Sequence, residues 1–198
     1  MGASAHLNRL RNSVEGPLTL GELAARLGRE GIGLLVLLVS IPFLHPLPMA
    51  GLTIPVGLIL TAAGIQLALE HQTPYLPRFV SERELDAAMV KKILGAAEKL
   101  LLFLERFAHP RWRALARAQR LIGTAIAIAG AVFTLPLYFP FGNLFSAAGL
   151  VLLGLALLEE DGLLAFLGLG VTSASMLYHV AIARLAWEAT RSLLGRLG

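Results

Sequence analysis

The chain has 198 residues, of which 56% are hydrophobic and only 15% are charged. An ordinary soluble domain carries about 25% charged residues, so this composition excludes a typical soluble enzyme. It predicts instead an all-α integral membrane protein that forms a single membrane domain, 1–198. Cysteine is absent, which excludes disulfides, thiol nucleophiles and cysteine metal ligands.

The 17 lysines and arginines fall in three windows, 9–29, 78–120 and 184–196. Because such residues accumulate on the cytoplasmic side of a membrane, the N-terminus, the central segment and the C-terminus are all expected there. Cations at membrane flanks indicate lipid with anionic headgroups as the partner, and we expect no nucleic acid partner.

The first helical signal is a capping-box spacing between Thr19 and Glu22, followed by apolar residues at helical intervals. It predicts an amphipathic helix at the membrane interface, the alternative being a soluble helix that covers part of a core. A first hairpin, 31–69, follows: two apolar runs too short to span alone are separated by His45, Pro46 and Pro48. Because irregular backbone at membrane depth must be sheltered, this hairpin is a candidate re-entrant element.

The segment 82–107 alternates apolar and charged residues, which predicts an amphipathic helix on the cytoplasmic surface, capped by Ser81. Its apolar positions include Met89, Ile93 and Leu101. A second hairpin, 121–158, is interrupted by Pro136, Pro140 and Gly142. The last block, 163–190, predicts either one membrane helix or two half-helices broken near residues 172–175, and the charge distribution favours the broken pair.

The two hairpins resemble each other at an offset of about 93 residues. Duplicated, proline-broken hairpins, often as an inverted repeat, are typical of secondary transporters, in which the ends of half-helices supply exposed peptide dipoles to a substrate. Duplication for packing alone is the other interpretation.

Several motifs along nearly the whole chain are similar to those of the bacterial exopolysaccharide synthesis protein ExoD family. They are Leu20-Gly21-Glu22-Leu23, Leu27-Gly28, Gly31-Ile32-Gly33, Pro46-Leu47-Pro48, Gly57 with Gln66, Pro74-Tyr75-Leu76-Pro77-Arg78, Pro136 with Pro140 and Asn143, and Asp161-Gly162. The resemblance implies a multi-pass protein of the bacterial inner (cytoplasmic) membrane that supports the synthesis or export of surface polysaccharide. It supplies no reaction, no catalytic residue and no cofactor.

The candidate substrate or ion pathway is formed by polar and proline residues at the hairpin interruptions and in the apolar runs: His45, Pro46, Pro48, Gln66, Pro140 and Asn143. Each has a structural alternative, since Gln66 could bond another helix and Asn143 could cap the helix that follows. Arg78, Glu160 and Asp161 are candidates for charge pairing near the membrane boundary. The five histidines lack metal-site spacing, so no metal site is predicted.

Three functions are compatible with these patterns. The first is a transporter-like or channel-like component of exopolysaccharide production. The second is a membrane scaffold that binds polysaccharide-assembly proteins through the helix 82–107. The third, less favoured, is an enzyme acting on lipid-linked sugars through Glu160 or Asp161. Interrupted helices that need shelter also favour a homodimer.

Overall fold

A computed structural model describes residues 3–44, 52–71, 74–75, 78–106, 108–134 and 142–197. The helices are α1 (Ala3–Asn12), α2 (Leu20–Ser40), α3 (Thr53–Ala68), α4 (Arg78–Ser81), α5 (Ala87–Leu104), α6 (Arg113–Ala116), α7 (Gln119–Thr134), α8 (Gly142–Glu159) and α9 (Gly162–Leu197). One 3₁₀ turn, Ile41–Leu44, follows α2, and the two-residue strands β1 (Leu18–Thr19) and β2 (Glu84–Leu85) pair antiparallel. The prediction of an all-α fold is confirmed apart from this short pairing.

The helix α2 begins as its capping box predicts. The Thr19 hydroxyl accepts from the backbone N–H of Glu22 at 3.1 Å, and the Glu22 carboxylate accepts from the backbone N–H of Thr19 at 2.9 Å. The helix then kinks at Gly28, whose φ of 54° is a conformation that side chains with a β-carbon rarely adopt. Only the part of α2 beyond this kink therefore belongs to the first hairpin.

The helices α3 and α7 form the closest helix pair of the hairpins, and they run antiparallel. Gly57 faces Gly130 and Thr134, while Gly64, further along α3, faces Gly123 and Ala127. A β-carbon added at Gly64 would overlap the backbone of Ala127. Small residues on both helices thus allow the backbones to touch, which is how membrane helices commonly pack.

The second cross-hairpin pair is α2 with α8, in which Gly33 faces Gly154 and Leu157, and Gly154 faces Leu37. The residues that precede the two interruptions also meet, because the rings of Phe43 and Phe133 pack edge to face with centroids 5.2 Å apart. Both hairpins therefore run in the same direction and have their interruptions at one end of the bundle. An inverted repeat would place the interruptions at opposite ends, so the predicted inversion does not describe this arrangement.

The last apolar block is a single continuous helix, α9, and the predicted break near residues 172–175 is absent from it. The helix runs back along α8: Gly168 lies at Leu153, Thr172 at Gly149 and His179 at Gly142. It therefore carries Arg184 and Arg191 to the end of the bundle opposite Ala3, which bonds Glu159 at the base. The expectation from charge that both termini share one side does not fit this path.

A layer of amphipathic helices covers the base of the bundle, where α1 packs on α5. The N–H of Ala3 donates to Glu159 at 3.2 Å, and the N–H and hydroxyl of Ser4 both donate to Glu105 at 2.8 Å. The carboxyl groups of Glu159 and Glu105 thus satisfy backbone N–H groups in the first turn of α1.

The amphipathic helix predicted over 82–107 begins later than expected, at Ala87, with Asp86 as its N-cap. The reason is that Glu84 and Leu85 are extended and pair with β1. Ser81 instead closes the short helix α4, with its hydroxyl donating to the carbonyl of Arg78 at 3.2 Å.

Among the described residues, two helices are long and apolar enough to cross a membrane, Gly142–Glu159 and Gly162–Glu188. The bent pair Leu20–Gly28 and Glu30–Leu44 would add a third only if it counts as one span, despite its bend of 115°. The helices α3 and α7 have 16 residues each, or about 24 Å, which is less than a hydrocarbon core of about 30 Å.

Candidate functional site

The candidate site lies where the helices of both hairpins are interrupted. The end of α2 and the start of α3 border one interruption, and the end of α7 and the start of α8 border the other. The Phe43–Phe133 contact and the pairing of Gly57 with Thr134 bring the ends of α2 and α7 and the start of α3 to one level of the bundle. Helix ends present backbone groups that lack intrahelical partners, so this level can offer hydrogen bonds to a polar solute.

A polar stripe on α9 leads towards this level along its interface with α8, and we define it as Thr172, Ser175 and His179. The hydroxyls of Ser175 and Ser146 lie 2.7 Å apart, and both residues are buried. The Nδ1 atom of His179 lies 2.7 Å from the carbonyl oxygen of Ser175. Because a carbonyl only accepts, Nδ1–H is the donor in this pair.

The imidazole of His179 fits at the start of α8 because residue 142 is a glycine. A β-carbon there would lie 2.9 Å from Nε2. The ring is only 6% exposed and is flanked by Tyr178, with ring centroids 5.7 Å apart. The second ring nitrogen, Nε2, is thereby held next to the first turn of a long apolar helix.

Among the residues that the structure describes, two hydroxyls are buried in the bundle without a hydrogen-bond partner. They belong to Ser40, at the end of α2, and Thr172, opposite Gly149 on α8. An unpaired buried hydroxyl costs free energy, of the order of 1–3 kcal/mol. Such groups in a membrane bundle are either a packing compromise or places where a polar solute bonds.

The candidate pathway that the sequence predicted consists partly of other residues. His45, Pro46, Pro48 and Pro140 lie outside the described residues. Asn143 falls within the first turn of α8, which begins at Gly142. His179 was missed as a site residue, although its spacing of four from Ser175 and seven from Thr172 puts all three on one helix face, a signal present in the sequence.

Gln66 has a structural contact rather than a place in the polar stripe. Its amide nitrogen donates to the carbonyl oxygen of Tyr75 at 3.1 Å, and its amide oxygen accepts from the Tyr75 N–H at 2.5 Å. Both bonds tie the segment after α3 back onto that helix. The interhelical bond considered for Gln66 is replaced by this clamp on loop backbone.

Asp161 organises the turn between α8 and α9 and is fully buried. Its carboxylate accepts from the backbone N–H groups of His109 and Leu163, both at 2.8 Å, and from Leu164 and Arg111 at 3.4 Å. Burial by itself raises the pKa of Asp161, but these hydrogen bonds together lower it below its usual value. Asp161 is therefore the N-cap of α9.

The other charge-pairing candidates lie nearby on the surface. Glu160 pairs with Arg117 at 2.9 Å and with Arg113 at 3.8 Å, while Arg78 is exposed in α4. The expected pairing of Glu160 and Asp161 with arginines is present, with partners other than Arg78. Among the described residues, no group of three or more His, Cys, Asp or Glu side chains could hold a metal ion.

Comparison with known proteins gives the family. A family model described as "Exopolysaccharide synthesis, ExoD" matches residues 3–181, so the chain belongs to the ExoD family. Protein ExoD of Rhizobium meliloti is 27% identical over 180 residues, which cover 89% of this chain and 75% of that protein. An uncharacterized protein of Synechocystis, slr1875, is 26% identical over 166 residues, or 83% of this chain and 75% of that one. No solved structure gives a significant match.

Proposed function

We propose that the protein is a multi-pass inner-membrane component of exopolysaccharide synthesis or export that acts as a transporter-like or channel-like element. One observation carries the proposal. The ends of α2 and α7 and the start of α3 lie at one end of the bundle, and the buried polar stripe of α9 leads along α8 towards the same end. Membership in the ExoD family supports the link to exopolysaccharide.

The pairing of small residues explains how such a site is sheltered. The helices α3 and α7 touch through their backbones, and α2 approaches α8 in the same way. Interrupted backbone is tolerated at membrane depth only where protein or a water-filled cavity covers its polar groups. Between α3 and α7 the close packing continues to Thr134, the last residue of α7, and supplies that cover there.

The enzyme alternative receives no comparable support. Both carboxylate oxygens of Asp161 accept hydrogen bonds from the turn that they organise, and Glu160 is engaged by two arginines. A general acid or base has to reach a substrate, whereas these two carboxylates are held by hydrogen bonds and ion pairs at the base of the bundle.

Exopolysaccharide output in a strain lacking the gene tests the first half of the proposal. The strain is complemented with the wild-type chain, with a Thr172→Val/Ser175→Ala/His179→Phe variant, or with Ser173→Ala as the matched control on the exposed side of α9. We expect the triple variant to accumulate in the membrane but to restore at most about one tenth of wild-type output, an order-of-magnitude effect of losing a binding site. If a folded triple variant restored the full exopolysaccharide output, the polar stripe would have no part in the proposed function.

Proteoliposomes test the second half. Purified protein is assayed for movement of protons, Na⁺, K⁺, a radiolabelled neutral oligosaccharide and a fluorescent polyprenyl-diphosphate sugar. We expect at least one of these to move with wild-type protein and with Ser173→Ala, and to move far more slowly with the triple variant. If none moves under any gradient, the protein supports polysaccharide production by some means other than transport.

A further inference from the structure

The outer surface of α5 has an apolar stripe that the fold leaves exposed. Four residues, Val90, Leu94, Ala97 and Leu101, are buried where α5 packs on α1. The apolar arc of the helix continues beyond them through the exposed residues 89, 93 and 96, and through Leu100, which is partly buried against the core. Met89 is 53% exposed and Ile93 is 39% exposed. The helix α1 thus covers one half of the apolar arc and leaves the other half uncovered.

Cations border this stripe on one side. Lys92 and Lys99 are seven residues apart, both are exposed, and helical geometry places them together at the edge of the stripe. Lys91 is equally exposed but lies on nearly the opposite side of the helix. The acidic residue of α5, Glu98, points to α1, where it bonds Asn8 at 2.6 Å and Arg11. Within α5 the stripe and its border therefore carry positive charge, and the exposed carboxylate of the N-cap Asp86 lies at the N-terminal end of the stripe.

The position of α5 relative to the spanning helices sets its depth. Glu105, directly after α5, bonds Ser4, and the adjacent Ala3 bonds Glu159, the last residue of α8. Because α8 is long and apolar enough to cross a membrane, its terminal carboxylate marks a membrane boundary. The C-terminal end of α5 lies at that boundary, which is where lipid headgroups are found.

We propose that this face of α5, defined by Met89, Ile93 and Ala96 with Lys92 and Lys99, binds an anionic lipid surface. The apolar side chains enter the region between headgroups and acyl chains, while the lysine stems lie along it and place their ammonium groups on lipid phosphates. A face of this kind would anchor the base layer and fix the tilt of the bundle. The inference does not depend on transport.

The cysteine-free chain makes the test direct. Single-cysteine variants Ile93→Cys and Leu102→Cys are labelled with an environment-sensitive fluorophore and reconstituted in phosphatidylcholine vesicles that contain 0, 10 or 30% phosphatidylglycerol. Leu102 is the matched control, because it is 51% exposed and lies on the other flank of α5. We expect lipids with a quencher on the upper acyl chain to quench the label at position 93 and to spare the label at position 102.

Lysine variants then separate lipid charge from general burial. In the Ile93→Cys background, Lys92→Gln and Lys99→Gln should each raise the phosphatidylglycerol requirement about fivefold, as expected for removing one cation near an anionic surface. Lys91→Gln should leave it unchanged. The proposal would be overturned if quenching at position 93 did not depend on the phosphatidylglycerol content of the vesicles. It would also be overturned if Lys91→Gln and Lys92→Gln had equal effects.

Two other occupants of the face give different results. A second copy of the chain would make the label at position 93 self-quench as protein density in the vesicles rises, with no dependence on lipid charge. A face used by a protein partner would leave the label in water in pure vesicles of every composition. Either result rejects the lipid proposal, while the flux and complementation assays remain free to succeed.

Discussion

Two helix interfaces, α3–α7 and α8–α9, use small residues at similar spacing and put them to different uses. In α3–α7, Gly57, Gly64, Gly123 and Gly130 let backbone meet backbone. In α8–α9, Gly142, Ser146 and Gly149 instead make room for His179, Ser175 and Thr172. The first interface is packed without space for any added atom, whereas the second places polar groups inside the bundle. A run of small residues therefore does not by itself distinguish a packing interface from a polar one.

The largest expected effect is a break of the α3–α7 interface. Gly64→Leu places side-chain atoms where the Ala127 backbone lies, so we expect a loss of about 3 kcal/mol or more, at the upper end of overpacking costs. Gly170→Leu is the matched control, because Gly170 has open space around it in α9. Thermal unfolding in detergent measures both, and similar melting temperatures for the two variants would mean that the two helices do not pack this closely.

The next-largest effect on stability is expected at the turn between α8 and α9, where Asp161 is the N-cap of α9. Asp161→Ala removes the acceptor for the backbone N–H groups of His109 and Leu163, which then lack a hydrogen-bond partner in an apolar site. We expect a loss of about 2 kcal/mol in the free energy of unfolding, while Asp161→Asn, which retains an acceptor oxygen, should lose about half as much. Equal stability of the wild type and Asp161→Ala would show that the cap contributes nothing.

The stabilising contribution of the Asp161 cap should depend on pH. The pKa of Asp161 is lower in the folded protein than its ordinary value, so the folded state binds this proton less tightly than the unfolded chain. Its stabilising contribution is complete above the unfolded-state pKa of about 3.9 and is lost as the pH falls below that value towards the folded-state pKa. The melting-temperature gap between the wild type and Asp161→Asn should narrow between pH 5 and pH 2. A gap that widens on acidification would contradict the direction of this shift.

A smaller effect is expected within the polar interface. Ser175→Ala removes the partner of the buried Ser146 hydroxyl, and such interhelical bonds contribute about 1 kcal/mol in membranes. Ser173→Ala, on the exposed side of the same helix, should change stability by much less. If the two substitutions prove equivalent in unfolding assays, the Ser146–Ser175 bond does not stabilise the bundle.

The smallest effect belongs to the surface pair at the base. Arg117 and Glu160 lie 2.9 Å apart, but the arginine side chain is 56% exposed, and exposed pairs contribute less than about 1 kcal/mol. Arg117→Gln should therefore shift the melting temperature by no more than 1–2 °C, a change within the scale of surface substitutions. A loss comparable to that of Asp161→Ala would show that Glu160 is buried in the membrane-embedded protein.

The sequence predicted local features well where short-range chemistry decides them. The capping box of Thr19 and Glu22 is present, and the helices α3 and α8 lie in the apolar runs from which they were expected. Predictions that depended on long-range partners differed. The amphipathic helix starts at Ala87 because β1 pairs with the preceding residues, and Gln66 bonds Tyr75.

Composition and the order of apolar and polar segments by themselves determined that this chain is helical and has helices long and apolar enough to cross a membrane, because hydrophobicity and helical periodicity are properties of the local sequence. The ExoD motifs added the family. Only the tertiary structure decided that both interruptions lie at one end, that α9 is unbroken, and that His179 rather than a residue of the hairpins occupies the start of α8. These features depend on which helix faces which, and that choice is made by side-chain packing between segments far apart in the chain.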